Sequence, residues 1–306
     1  MARIVLSPGR SAEEVLDAAF ASLGIARWGG VTSNGWSVLS DLLRCPYRYQ
    51  LKREAKLQSA HLMADSSFAQ DIGSYGHAIL AAYYAGFLPD SRYPGYRYPC
   101  PTPEQMINAL NKNGADPMAL AVARECWEGY IDYWGEDGLT PMAVEMLAGD
   151  EGIHTCRYDL IANIADGIHD GLWAMDYKFL TPVANVDLYE LNGEILGEAL
   201  AWALSNPSLD ELFGPLAGVC INVLFKGKTS GSMRPYFRRW FPFKPEIIED
   251  FRKQRLHWKY MIETYRISGF WPKNHYGCVA HYNDVCQFFD HCRTLHPSFL
   301  VKKETP

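Results

Sequence analysis

The chain has no apolar run of the ~18 residues that a membrane-spanning helix requires, and its first residues do not form a charged-then-apolar leader. Both absences lead to the expectation of a cytoplasmic protein with no membrane partner. Asn206 sits in Asn-Pro-Ser, where the proline forbids glycosylation. A basic excess is also missing: the net charge is −6 and the pI about 5.9, which argues against binding polyanions with the whole surface. No repeat or low-complexity tract stands out. The stretch "FKGKTSG" is not a phosphate-binding loop, because Asn222 stands where that motif needs its first glycine. The eight cysteines lack short Cys-x2–4-Cys spacing. In a reducing compartment they do not make a disulfide framework; Cys100, Cys126, Cys156 and Cys220 read as scattered free buried residues, and a metal or cluster role competes for those that are grouped, Cys278, Cys286 and Cys292.

With 306 residues, 48% hydrophobic and 21% charged, the chain can bury a core as a single domain. Ser11 caps a first helix that Gly24 stops, within an N-terminal extension over 1–36. A second helix from about Ser37 bends near Pro46. A third covers about Ser66 to Leu88, and 90–145 reads as a helical insertion or lid. The period then changes from 3.6 to 2. "HTCRYDLIANIA" and "GLWAMDYKFLT" flank "DGIHDG", a hairpin signature. A helix through "EILGEALAWALSN" precedes a second hairpin, "GVCINVLFKGK" with "RPYFRRWFPF", completing a sheet region over 146–243. A long helix and a Cys-rich tail close the chain.

In the first hairpin a symmetric turn places Asp159 opposite Lys178 and Ile161 opposite Asp176. Residues i and i+2, and direct opposites, share a face, so Asp159, Asp176 and Lys178 share one. Two carboxylates suit hard Mg²⁺ or Mn²⁺, with substrate phosphate completing the coordination, and a lysine there can stabilise the attacking nucleophile. The pattern points to phosphodiester hydrolysis.

Taken in order, "GSYGH" with His77, "RYD" with Asp159 and "DYK" with Asp176 and Lys178 resemble the PD-(D/E)xK nuclease superfamily. The resemblance is to the RecB-like branch, which includes phage recombination exonucleases and CRISPR-adaptation nucleases carrying an iron–sulfur cluster. It implies an α/β fold with a restriction-endonuclease-like core, a central mixed β-sheet flanked by helices, and metal ligation by His77, Asp159 and Asp176. Glu145 matches a glutamate that often precedes the Asp strand in this family; a solvated or salt-bridged helical glutamate is the other reading. The family's Gln-x3-Tyr helix is replaced by Glu198 and Trp202, to which no role is carried over.

The tail holds Cys278, Cys286 and Cys292 as Cys-x7-Cys-x5-Cys. By the same resemblance Cys45 is the distant fourth ligand, and 37–65 with 270–293 form a module stapled by a [4Fe–4S] cluster. Zinc also takes four thiolates, but usually through shorter loops. Arg48, Lys52 and Arg53, and Lys226, Lys228, Arg238 and Arg239, are candidate DNA contacts.

The expectation is a Mg²⁺- or Mn²⁺-dependent DNA exonuclease acting on linear ends and leaving single-stranded tails, in recombination or end processing. A single-strand annealing partner and homo-oligomers are compatible with it. The alternative is a non-catalytic DNA-binding or assembly subunit that keeps fold and cluster.

Overall fold

A computed structural model describes residues 10–25, 32, 34–59, 68–88, 100–135, 138–180, 192–205, 207–226, 236–278 and 285–302. The helices are α1 (Ala12–Ser22), α2 (Trp36–Arg44), α3 (Pro46–Tyr49), α4 (Phe68–Ala85), α5 (Pro103–Lys112), α6 (Pro117–Trp134), α7 (Gly193–Leu204), α8 (Ser208–Phe213), α9 (Pro245–Ser268) and α10 (Phe289–Thr294). The strands are β1 (Leu57–Ser59), β2 (Leu139–Asp150), β3 (His154–Ile164), β4 (Gly171–Leu180), β5 (Leu216–Phe225), β6 (Tyr236–Pro242) and β7 (Leu300–Lys302).

Local chemistry explains the helix boundaries. Ser11 and Glu14 form a reciprocal capping box at the start of α1. Between α2 and α3, Cys45 is extended (φ −168°, ψ 117°) because Pro46 cannot follow a helical residue comfortably. Pro46 then serves as a first-turn proline, and α3 runs on as a π-type turn through Gln50–Glu54.

The central sheet has five strands in the order β2-β3-β4-β5-β6. All pairs are antiparallel except β4 with β5, which are parallel and joined through α7. One face packs on α1, α4, α5 and α6 through Leu160, Ala162, Trp173, Met175 and Tyr177. The other packs on α7 through Tyr158, Ala174, Val219 and Ile221. Burial on both faces explains why β4 and β5 read as nearly continuous apolar runs.

Three expectations need correction. The hairpin register pairs Leu160 with Met175 and Ile161 with Ala174, two residues from the symmetric-turn placement. A shift of two keeps side-chain parity within the paired stretch, which ends at Leu160 and Met175, before Asp159 and Asp176. The stretch 90–145 is not wholly helical, since β2 begins at Leu139. Nor are its helices a peripheral lid: Met106, Leu110, Ala119 and Tyr130 belong to the same core as the sheet.

The thiol-bearing segments meet. Leu39, Leu42 and Tyr49 pack with Trp271, and Leu51 with Cys286 and Phe288. Strand β1 pairs with β7, tying residues 57–59 to 300–302.

Helix α4 approaches the sheet closely at Gly76, where an added Cβ would overlap the Phe179 ring, whereas one at Gly73 would meet nothing within 4 Å. Gly76→Ala is therefore expected to destabilise by about 1–3 kcal/mol. Gly73→Ala should be neutral or stabilise by up to about 1 kcal/mol. Equal urea midpoints for the two variants would contradict this seating of α4.

Candidate active site

The site forms where two strands lose their regular alternation. Val144 and Leu160 are paired and face the α4 side, while Met146 and Tyr158 are paired and face the α7 side. The rung between them, Glu145 and Asp159, is missing from the ladder, and Glu145 sits at φ +50°. A left-handed conformation costs a non-glycine residue about 1–2 kcal/mol. It is tolerated where the surroundings over-determine it, commonly at functional sites.

The flip brings Glu145 and Asp159 to His77 on α4. One ligand atom from each of His77, Glu145 and Asp159 lies within 4.8 Å of the others, the one such group of three among the described residues. His77 Nδ1 is 3.1 Å from Asp159 Oδ2. Glu145 is buried and pairs with Arg157 at 2.9 Å. It is a strand residue, not a helical one.

The β3–β4 ladder stops at Leu160 and Met175. Beyond that point the Tyr177 N–H donates to Asp159 Oδ2 at 2.9 Å, so a side chain replaces a backbone acceptor. Asp176 and Lys178 lie on the α7 side. The Lys178 ammonium spans Asp176, at 3.0 Å from Oδ1 and 2.7 Å from Oδ2, and reaches Glu194 Oε1 at 2.9 Å. Asp176 is outside the His77–Glu145–Asp159 group and adjoins it across Asp159; the trio expected from sequence has Glu145 in its place.

Charge is unevenly matched here. Burial opposes a charged His77, but Asp159 and its hydrogen bond, with Glu145 and Asp176, outweigh burial and raise the imidazole pKa. Burial would raise Asp159, yet His77, the Tyr177 N–H and Lys178 bring it down to about 2. Asp176 is pushed up to about 7 by burial, with Glu194 and Asp159 adding to it against Lys178. Buried Glu198 on α7 is raised well above the ordinary value by burial and then by Asp176. A surplus of buried carboxylates is the donor set a hard divalent cation favours. A cavity of about 320 Å³ opens on the site, lined by His77, Glu145, Asp159 and Arg157, with α1 contributing Glu13, Leu16 and Phe20 as a wall.

Two participants were missed from sequence. Helix α1 belongs to the site and is not a mere extension. Glu194 was signalled only by its first-turn position after the capping Asn192, whose side chain accepts from the Glu194 N–H at 3.0 Å. Trp202 is core, with its indole N–H donating to Asp210 at 2.7 Å.

A family model of the PD-(D/E)XK nuclease superfamily matches residues 36–192, half of the chain. The chain belongs to that superfamily. Among curated proteins no relative matches it. The matched region contains every site residue from His77 to Lys178, together with Cys45. Membership supports a nuclease with DNA as its substrate, in a superfamily that typically uses divalent metals such as Mg²⁺. No helix among the described residues is long and apolar enough to cross a membrane.

The nuclease's candidate DNA contacts fare differently from one another. Arg48, Lys52 and Arg53 turn inward onto buried Asp41 at 2.8, 3.1 and 2.8 Å and do not form an open patch. Arg238 donates to Asn222 and Tyr130 and stacks on Trp134. Arg239 borders a groove with Trp240 and Lys244. Lys226 follows the end of β5, and Lys228 lies outside the described residues.

The four tail-and-helix thiols, Cys45, Cys278, Cys286 and Cys292, line one cavity of about 230 Å³ with Arg48, Asn274 and Phe288. The Asn274 N–H faces Cys45 Sγ at 3.4 Å, and the Cys286 N–H donates to Cys278 O at 2.8 Å. Burial and the neighbouring sulfurs push Cys292 up to about 11, with Lys273 opposing.

In metal-free protein the shifts have a defined sign. His77's contribution is full below the unfolded value of about 6.5 and is lost as pH rises through its raised folded value. Asp176 keeps a proton that the unfolded chain releases near pH 4, so stability falls as pH rises from there through about 7. Asp159 acts oppositely, its contribution being lost as pH falls towards about 2. Urea midpoints in chelator should therefore be highest near pH 4–5 and decline towards pH 8, with a shallower decline in Asp176→Asn. An equally steep decline in that variant would refute the assignment to Asp176.

Proposed function

We propose that this nuclease is a DNA exonuclease that hydrolyses phosphodiester bonds at linear ends with Mg²⁺ or Mn²⁺. The observation that carries this reading is the convergence of His77, Glu145 and Asp159 beside the Asp176–Lys178 pair, at an opening in a sheet otherwise covered on both faces. His77, Glu145 and Asp159 would hold the cation, with Asp176 adjoining. When bound, the cation supplies Lewis-acid activation and offsets charge on the phosphate. In the reaction a water oxygen bonds to phosphorus, the bond from phosphorus to the leaving sugar oxygen breaks, and a proton passes to the departing alcohol.

Lys178 is held by Asp176 and Glu194 so that its ammonium can stabilise the nucleophile or the developing negative charge without reorganising. Arg157 and Glu13 line the cavity, whose volume is on the scale of a small ligand. That scale, with α1 as a wall, supports entry of a strand end over a continuous duplex. Recombination or end processing is the role that suits such an activity.

We read the four-thiol cavity as the seat of a [4Fe–4S] cluster. The cavity favours a polyatomic group over a single ion. Tetrahedral zinc, with Zn–S near 2.3 Å, would hold its sulfurs about 3.8 Å apart, and no three of these sulfurs lie within 4.8 Å of one another. The cluster supplies a staple joining α2 and α3 to the tail.

End-labelled linear DNA and closed circular DNA, incubated with Mg²⁺ or Mn²⁺ and with chelator, test the activity. Wild type should degrade only the linear form and only with metal, and Lys178→Ala should lose at least about 100-fold in rate. Cutting of circles would replace the exonuclease reading with an endonuclease. No cutting by cluster-loaded wild type would favour the non-catalytic DNA-binding subunit.

A further inference from the structure

Arg48 stands between the Asp41 carboxylate and the Cys286 sulfur. Its Nε donates to Asp41 Oδ1 at 2.8 Å, and one terminal guanidinium nitrogen faces Cys286 Sγ at 3.8 Å. Asp41 is 3% exposed and also receives Lys52 and Arg53. A structural carboxylate needs one counter-ion, and each further cation drawn into a half-buried position costs desolvation. One carboxylate against three cations leaves two positive charges in surplus beside the thiols.

Four thiolates around a [4Fe–4S]²⁺ core carry a net charge of −2, since the core's two positive charges meet four negative ones. The surplus has the sign that complements this charge, and Lys273 and Arg293, which also line the cavity, add to it. The position matches too, because Arg48 lines the thiol cavity while Lys52 and Arg53 stand behind it on Asp41.

We propose that the Asp41–Arg48–Lys52–Arg53 group is the counter-charge of the thiol cavity, with Arg48 as the positioning residue that donates directly to the Cys286 thiolate. The basic stretch of α3 and its π-type turn thereby serves the cofactor and not the DNA. Arg48 stabilises the more negative, reduced state of the cluster and slows its loss, and Asp41 keeps the guanidinium aimed. This inference rests on the cluster reading above.

The test uses full-length protein purified without oxygen: wild type, Arg48→Lys, Arg48→Met and the double variant Asp41→Asn/Arg48→Met. Iron, acid-labile sulfide and zinc are counted first. Chelator-driven loss of visible absorbance and the midpoint potential are then recorded, with circular dichroism melts as a check on folding.

Arg48→Met is expected to lose its cluster about tenfold faster, the scale of one charge-assisted hydrogen bond, and to have a more negative potential. Arg48→Lys should fall between Arg48→Met and wild type, because the charge is kept while the fork that reaches both Asp41 and Cys286 is lost. The double variant separates the roles. If Arg48 served only to neutralise Asp41, removing both would restore wild-type behaviour and overturn the proposal; continued fast loss and a lowered potential support it. An unchanged loss rate and potential in Arg48→Met, with a normal cluster in wild type, overturns the proposal alone. Wild type without iron and sulfide overturns the cluster reading and the proposal with it.

Discussion

The Asp159 carboxylate joins the two halves of the site, because it accepts from both the His77 ring and the Tyr177 backbone N–H. The first contact comes from α4 on one face of the sheet. The second comes from β4 at the point where pairing with β3 has ended. An unpaired N–H in the middle of a domain is costly, so the carboxylate does structural work by capping the strand opening. The same opening gives the cavity access to Asp159. Stability and access therefore depend on one side chain, held as the anion by charge-assisted bonds.

Two buried sites in this nuclease carry charge in excess, with opposite signs. Around His77 and Lys178 there are more carboxylates than cations, and around Asp41 there are more cations than carboxylates. Unbalanced charge is expensive in an interior. Each excess is the complement of what its neighbours would hold: a divalent cation in the first case and a negatively charged thiolate assembly in the second. The sites are chemically independent, yet α2 and α7 pack together between them, so neither can shift far without disturbing shared packing.

Much of this was legible in the sequence where a local rule decided it. The hairpin from His154 to Leu180 was visible in its period of two and its Asp-Gly turn. Asp176 and Lys178 share a face as their i, i+2 spacing requires, but the expectation that Asp159 shares it fails: the paired flip turns Asp159 towards His77, and the Tyr177 N–H, not a common face, keeps it beside the pair. Glu145 was harder. Its place depends on a paired flip in β2 and β3 that inverts side-chain parity, and no propensity rule marks a left-handed glutamate. The basic stretch was read as open because its carboxylate partner is in the preceding helix. Asp41, Arg48 and Lys52 are spaced at i, i+7 and i+11, which share a helical face, a signal that Pro46 obscured. Helix α1 offered a clear cap and no sign of its long-range partner.

The β1–β7 pairing and the thiol cavity together impose an order on biogenesis. The strands of the nuclease sheet and α4 are complete once Pro242 has been made, so the catalytic framework can assemble while the chain is still being synthesised. Cys45 is made early, but Cys292 and the β7 partner of Leu57 follow it by nearly the whole chain. During that interval the early cysteine and the inward-turning arginines have no completed pocket around them. A cluster of the kind proposed for the thiol cavity would accordingly load late, and a nascent chain stalled after α9 would hold an assembled sheet and α4 beside an unfinished thiol module.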